Sequence, residues 1–245
     1  MADVAAAAGE NPYGLMAALK QGGIVAQGTF GIMVIMSLGS WFIMITKYLD
    51  QRKIMAQGKE LEKKFWTAPS LREGANRLDK DSAFRQIVED GLRAADHHDG
   101  KLTDKIDAHE WITMSLERSV TAITSRLQGG LAFLASTGST APFIGLFGTV
   151  VGIYRALINI SLAGQASIDK VAGPVGEALI MTALGLAVAV PAVLGYNALT
   201  RRNKALAEKL GHFASDVHAH LMSGARMAQK APAAPAAAAA TAVKK

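Results

Sequence analysis

The sequence predicts an all-α integral membrane protein with three transmembrane helices and long helical cytoplasmic extensions. Two observations carry that expectation. Half of the 245 residues are hydrophobic and only 19% are charged, which is too apolar for an ordinary soluble domain. The charges are also excluded from three blocks: none lies between Lys20 and Lys47 or between Arg126 and Arg155, and Glu177 stands alone between Lys170 and Arg201. About 20 apolar residues cross a hydrocarbon core of about 30 Å, so each block is long enough to span, and the spans are read at 24–46, 130–155 and 171–198.

Residues 1–23 form the segment before the first span. Their start is acidic and their apolar run is broken by Glu10, Asn11 and Pro12, unlike a secretory leader. After Pro12, "YGLMAALK" fits a short amphipathic helix on the outer membrane interface or a mobile terminus. Near the span ends, Lys47, Arg52, Lys53, Arg118, Arg126, Arg201, Arg202 and Lys204 fall on one side, against Lys20, Arg155 and Lys170 on the other. The positive-inside rule then puts the amino terminus outside and the carboxyl terminus in the cytoplasm.

Residues 47–129 read as a cytoplasmic helical region. Leu49, Ile54, Leu61 and Phe65 make one loose apolar stripe, and Phe84, Ile87, Val88 and Leu92 make another. Leu116, Val120, Ile123 and Leu127 are spaced by 4, 3 and 4, and Leu131 and Leu134 carry the series into the second span. A single helix of about 80 Å from Thr103 to Asn159 is therefore expected. Residues 156–170 make a short outer loop, 199–224 a cytoplasmic carboxyl-terminal helix, and 225–245, rich in alanine and proline, a disordered tail.

Several function classes are excluded. Most of the net charge of +6 lies in the tail, since 47–126 mixes 15 basic with 14 acidic residues; no one-sided basic patch with stacking aromatics marks a nucleic-acid partner. With no cysteine, thiol catalysis and Cys-ligated metal are unavailable. The histidine groups Asp96, His97, His98, Asp99 and His212, Asp216, His218, His220 lie outside the apolar blocks and read as solvated faces, so no metal is assigned. No phosphate loop, serine elbow or HExxH occurs, so neither an enzyme nor a cofactor is expected. Any energetic work would draw on an ion gradient.

The second span, "GLAFLASTGSTAPFIGLFGTVVGIY", gathers glycines and hydroxyls. Gly148 and Gly152 make a GxxxG that admits a neighbouring helix closely, with Gly145 one turn earlier. Pro142 frees a backbone carbonyl that neighbours can satisfy. Counted inward at 1.5 Å per residue from Arg155 and Lys170, Thr149 lies about 9 Å deep, Glu177 about 10 Å and Thr182 about 18 Å. Glu177 and Thr182 stand about 140° apart around their helix and do not share one face, but a pore lined by several copies can still bring one copy's Glu177 near another's Thr149 and Thr182. An ionisable residue at such depth marks an ion or proton path by default.

"STAPFIGLFGTVVGI" followed by "GPVGEALIMTALGLAVAVPAVLGYN" resembles the ExbB branch of the MotA/TolQ/ExbB family of proton-channel proteins. The resemblance implies a homopentamer in the inner membrane of Gram-negative bacteria, surrounding the helices of an ExbD dimer and coupled to TonB, whose outer-membrane transport it energises by proton flow. It implies that Glu177 is the pore glutamate, that Thr149 and Thr182 are polar lining residues, and that the proton rides on an aspartate of ExbD. Val151 departs from the tryptophan frequent in "GTVWGI" and bears on local packing alone. The TolQ branch, serving envelope integrity with TolR and TolA, shares the same Glu and Thr positions. A purely structural membrane scaffold is a third reading, one that leaves Glu177 without a role.

Overall fold

The computed structural model describes residues 19, 23–97, 107–163 and 168–224; within them the side chains of Glu62, Glu177, residue 163 and residues 168–174 are not described. Residue 19 apart, the expected terminal helix at 13–20 lies outside this set, as do the tail 225–245, His98 and Asp99. The elements are α1 (Gly23–Glu60), a π-helical turn (Leu61–Phe65), α2 (Leu71–Asn76), α3 (Ala83–Asp96), α4 (Ala108–Gln128), α5 (Leu131–Ala163) and α6 (Ile168–Ser223). Three stretches, Gly23–Glu60, Ala108–Leu162 and Ala178–Ser223, are long and apolar enough to cross a membrane. Ile35, Phe42, Phe143, Phe147 and Leu194 on these stretches are each more than half exposed. So much uncovered apolar surface is stable only against lipid or other chains.

Two expectations are corrected. The helix expected from Thr103 to Asn159 is interrupted: α4 ends at Gln128 and α5 begins at Leu131. Gly130 between them has φ 85, the left-handed conformation that ends helices and that glycine adopts without penalty. The apolar series of Leu127, Leu131 and Leu134 continues across this break in sequence, which is why periodicity missed it. Second, the outer loop expected at 156–170 is helical at every described position, 156–163 and 168–170. No glycine or proline intervenes between Gly152 and Gly164 to stop α5.

The chain divides into two compact units, Met1–Ala56 with Ala122–Ala207, and Gln57–Thr121 with Glu208–Lys245. In the first, Leu131, Leu134 and Leu199 are buried, with Ile43, Met44 and Tyr196 packed on them. The end of α4 is held here by side chains of α1 and α6. A helix leaves its last carbonyls without intrahelical partners. Lys47 Nζ donates to the Arg126 carbonyl at 2.9 Å and Asn203 Nδ2 to the Leu127 carbonyl at 3.1 Å. Gln51, wholly buried, donates its Nε2 to the Asn203 Oδ1 at 2.7 Å and to the Leu199 carbonyl at 3.0 Å. Asn203→Leu would leave the Leu127 carbonyl without its side-chain donor and cost Gln51 its acceptor. The expected loss is about 2–4 kcal/mol, read as a lower unfolding temperature of the detergent-solubilised protein. An unchanged temperature would remove the clamp from the stabilising contacts.

The second unit has an aromatic core. Phe213 meets Phe65 and Phe84 edge-on, with ring centres 5.3 and 5.2 Å apart, the geometry that aligns ring edges with neighbouring faces. Phe84, Ile87 and Val88 are buried, as the stripe in α3 predicts, and Leu92 is half-buried. Gly91 gives α3 room beside Leu116: an added Cβ there would lie 2.9 Å from Leu116 Cδ2. Ser70 caps α2, accepting from the Glu73 amide at 3.2 Å, so the Ser-x-x-Glu spacing is used as an amino-terminal stop signal.

Candidate functional site

Small residues set the spacing of α5 and α6. A Cβ added at Gly145 would lie 2.6 Å from the Met181 carbonyl oxygen and 3.2 Å from Gly185 Cα, and one at Gly185 would lie 2.7 Å from the Ala141 carbonyl oxygen. These are backbone atoms, so the two helices touch main chain to main chain. The GxxxG pair is less tight: added Cβ atoms at Gly148 and Gly152 would meet Met181 Cβ at 3.2 Å and Ala178 Cβ at 3.1 Å. Gly185, which sequence reasoning passed over, is thus the true partner of Gly145. Its signal was a lone glycine in the apolar run "TALGLA".

Thr149 lies one turn beyond Gly145 and is 8% exposed. Its Oγ1 contacts the Gly145 carbonyl at 3.1 Å, the Ala178 carbonyl at 2.8 Å and the Thr182 hydroxyl. A hydroxyl has one proton, so Thr149 can donate to one of these three acceptors. In the contact between Thr149 and Thr182 either hydroxyl can donate. Counting inward from Arg155 and Lys170 set the two threonines about 9 Å apart in depth. Their hydroxyl contact corrects that: α5 runs on past Arg155 to Ala163, so Arg155 does not mark its outer end and Thr149 lies deeper in the helix than the count allowed. Close packing at Gly145 and Gly185 does the rest, since it brings the next turn of α5 within hydrogen-bond reach of α6.

Glu177 has its backbone in α6, immediately before the Ala178 whose carbonyl meets Thr149; its side chain lies outside the described set. By register it precedes Leu184, Val188 and Gly195 by 7, 11 and 18 residues, and all three are half-buried. That line runs along the flank of the helix face carrying Ala178, Met181 and Gly185. A third threonine reaches this level from α1. Thr29 is 4% exposed, donates to the Val25 carbonyl at 2.7 Å, and places its Cγ2 3.3 Å from the position of a Cβ on Gly148. Sequence reasoning missed it, although "QGTFG" marks a small polar residue between glycines in an apolar span. Pro142 lies inside α5, and in the preceding turn Ser139 and Thr140 donate their hydroxyls to the Ser136 carbonyl at 3.0 and 2.7 Å.

The solvated-face reading holds for His212, which is exposed, but fails for the other three members of that group on α6. Asp216 is 8% exposed, and His218 and His220 are half-buried. The burial of Leu210, Phe213 and Val217 on the same helix turns this stretch inward. His218 meets His109 edge-on at 4.6 Å, and no cluster of three His, Cys, Asp or Glu side chains able to hold a metal forms among the described residues.

The sequence profile described as the MotA/TolQ/ExbB proton channel family matches residues 79–211. The chain is similar to the biopolymer transport protein ExbB of Xanthomonas campestris pv. campestris, at 36% identity over 91% of this chain and 96% of that one. It is similar to the ExbB of Neisseria meningitidis at 35%, covering 83% and 95%. The Tol-Pal system protein TolQ of Pseudomonas aeruginosa is 30% identical, covering 83% and 90%. With an ExbB/TolQ-type role, and in a family of channel subunits rather than enzymes, the chain belongs to the MotA/TolQ/ExbB proton channel family.

Proposed function

We propose that this chain is the inner-membrane channel and motor subunit that, with ExbD, uses the proton motive force to energise TonB-dependent transport across the outer membrane. In this reading five copies surround an ExbD dimer, and the amino terminus is periplasmic and the carboxyl terminus cytoplasmic. The observation that carries the reading is the hydroxyl pair of Thr149 and Thr182 seated on the Ala178 carbonyl, next in sequence to the one acidic residue of the third apolar block. A carboxylate in a membrane span is costly unless it faces a bundle interior or a wet path. Glu177, Thr149 and Thr182 are therefore assigned to the pore wall, where Glu177 tunes the path and the proton is carried on the ExbD aspartate. Gly145, Gly148, Gly152 and Pro142 shape the helix seam behind it.

The test is complementation of TonB-dependent iron uptake in a strain lacking its own ExbB. Wild type is expected to restore uptake, Glu177→Ala to lose at least about tenfold, the equivalent of about 1.4 kcal/mol in an apparent barrier, and Glu177→Gln to keep packing but lose charge. Full uptake by Glu177→Ala, expressed and assembled at normal levels, would overturn the assignment. The TolQ-like relatives favour a second reading, a Tol-Pal subunit serving envelope integrity. Rescue of detergent resistance in a strain lacking TolQ, with no rescue of iron uptake, would select it. Native mass spectrometry of the extracted complex is expected to give five copies, and any other number would refute the pentamer.

A further inference from the structure

Where the apolar blocks of α1 and α6 end, the chain presents Arg52, Lys53, Arg201, Arg202 and Lys204. None of the five is ion-paired with a carboxylate among the described residues, and Asp50 pairs with none of them. Two of these cations converge all the same. The guanidinium carbon of Arg202 lies 4.6 Å from the centre of the Tyr48 ring, and that of Arg52 lies 5.9 Å from it. Both are drawn to the ring by its quadrupole, and they repel each other at a separation within about one Debye length, ~10 Å at 0.1 M salt. Arg202 Nε is buried and makes no hydrogen bond among the described residues; a buried donor of this kind calls for an acceptor, and no described residue supplies one.

One ligand chemistry answers all three features: an anion with several acceptor oxygens, such as a phosphate, which guanidinium groups bind through paired hydrogen bonds. The surface below the ring chooses between a lipid and a soluble phosphate. Leu38, Trp41, Ile45, Tyr48 and Arg52 follow one another at intervals of three and four along α1, which puts them on one helix face, and the first four are 67, 54, 53 and 43% exposed. An apolar stripe one acyl chain wide leads up to an aromatic ring and two guanidinium groups, in the vertical order of a phospholipid. We infer that Tyr48, Arg52 and Arg202 form a site for the phosphate headgroup of an anionic phospholipid, whose acyl chain lies along Ile45, Trp41 and Leu38. Basic pockets between membrane helices bind anionic headgroups on this physical basis. The site is independent of the channel reading, because it needs only the membrane bundle.

Native mass spectrometry of the full-length protein, extracted in micelles doped with phosphatidylglycerol and phosphatidylcholine in equal amounts, tests it. Wild type is expected to retain phosphatidylglycerol in preference. Arg52→Ala combined with Arg202→Ala should cut the retained phosphatidylglycerol about tenfold and leave phosphatidylcholine unchanged, while Arg72→Ala, in the other unit, should match wild type. The pair Arg52→Lys and Arg202→Lys keeps the charge but not the planar fork; it should give an intermediate preference, and it stands in if the alanine pair fails to fold. Sodium phosphate and sodium chloride at matched ionic strength should strip the lipid equally. Equal retention in wild type and both variant pairs, or selective displacement by inorganic phosphate, overturns the inference.

Discussion

Gly185→Leu is expected to prevent the membrane bundle from forming, with little correctly assembled protein recovered by size exclusion in detergent. The reason lies in what the new side chain would meet. A Cβ at this position would stand 2.7 Å from the Ala141 carbonyl oxygen and 3.2 Å from Gly145 Cα, and main-chain atoms inside a helix cannot turn aside. The two helices would have to separate, losing dispersion contacts along the seam and the hydrogen bonds from Thr149 to α6. Overpacking a well-fitted core by a methylene or two costs about 1–3 kcal/mol; a whole leucine against backbone lies at or beyond the top of that range. Gly148→Ala is expected to cost less, since its added Cβ would meet the flexible side chain of Met181 at 3.2 Å. Gly31→Ala, with nothing within 4 Å, should be neutral or stabilising by about 0.5–1 kcal/mol through lower chain entropy. Wild-type recovery and unfolding temperature for Gly185→Leu would disprove the seam as described.

Thr149→Val is expected to separate function from stability. Valine fills nearly the same volume but offers no hydroxyl, so the Ala178 carbonyl keeps its intrahelical bond while Thr182 loses its partner on α5. Thr182 can turn back to Ala178, four residues earlier, as threonines in helices do. The expected stability loss is therefore only about 1 kcal/mol. Transport in the complementation assay should fall at least about tenfold if the hydroxyl pair belongs to the proton path, and Thr149→Ser, which retains the donor, should stay near wild type. Normal transport by the valine variant would reduce Thr149 to a packing residue. A parallel loss of stability and transport, with serine equally impaired, would do the same.

The membrane helices were legible because the signal that defines them is local. Some twenty residues without charge cannot do much else than cross a bilayer or fill a large core, and the three blocks here are bounded by basic residues. The stripe of Phe84, Ile87 and Val88, and that of Leu116, Ile123 and Leu127, likewise pointed to faces that are buried in the structure. Asp216 was not legible. Its neighbours Phe213 and Val217 fix the orientation of that turn, and the partners of Phe213, Phe65 and Phe84, are more than 120 residues away in sequence. The clamp of Gln51 on Asn203 spans a separation of 152 residues and has no sequence signal beyond two amides near span ends.

By itself, the sequence determined that this is an all-α membrane protein, where its apolar blocks lie and which family it resembles. Those properties follow from charge, hydrophobic length and a fixed rise per residue, all of which are read along one strand of chain. The tertiary structure decided that α4 and α5 part at Gly130, that Gly145 meets Gly185 rather than the GxxxG carrying the closest approach, and that Thr149 joins Thr182 directly, within one copy. Each of these depends on the distance between two helix axes or on where a helix ends. Which hydroxyl reaches which carbonyl is settled only when the backbones have come into contact.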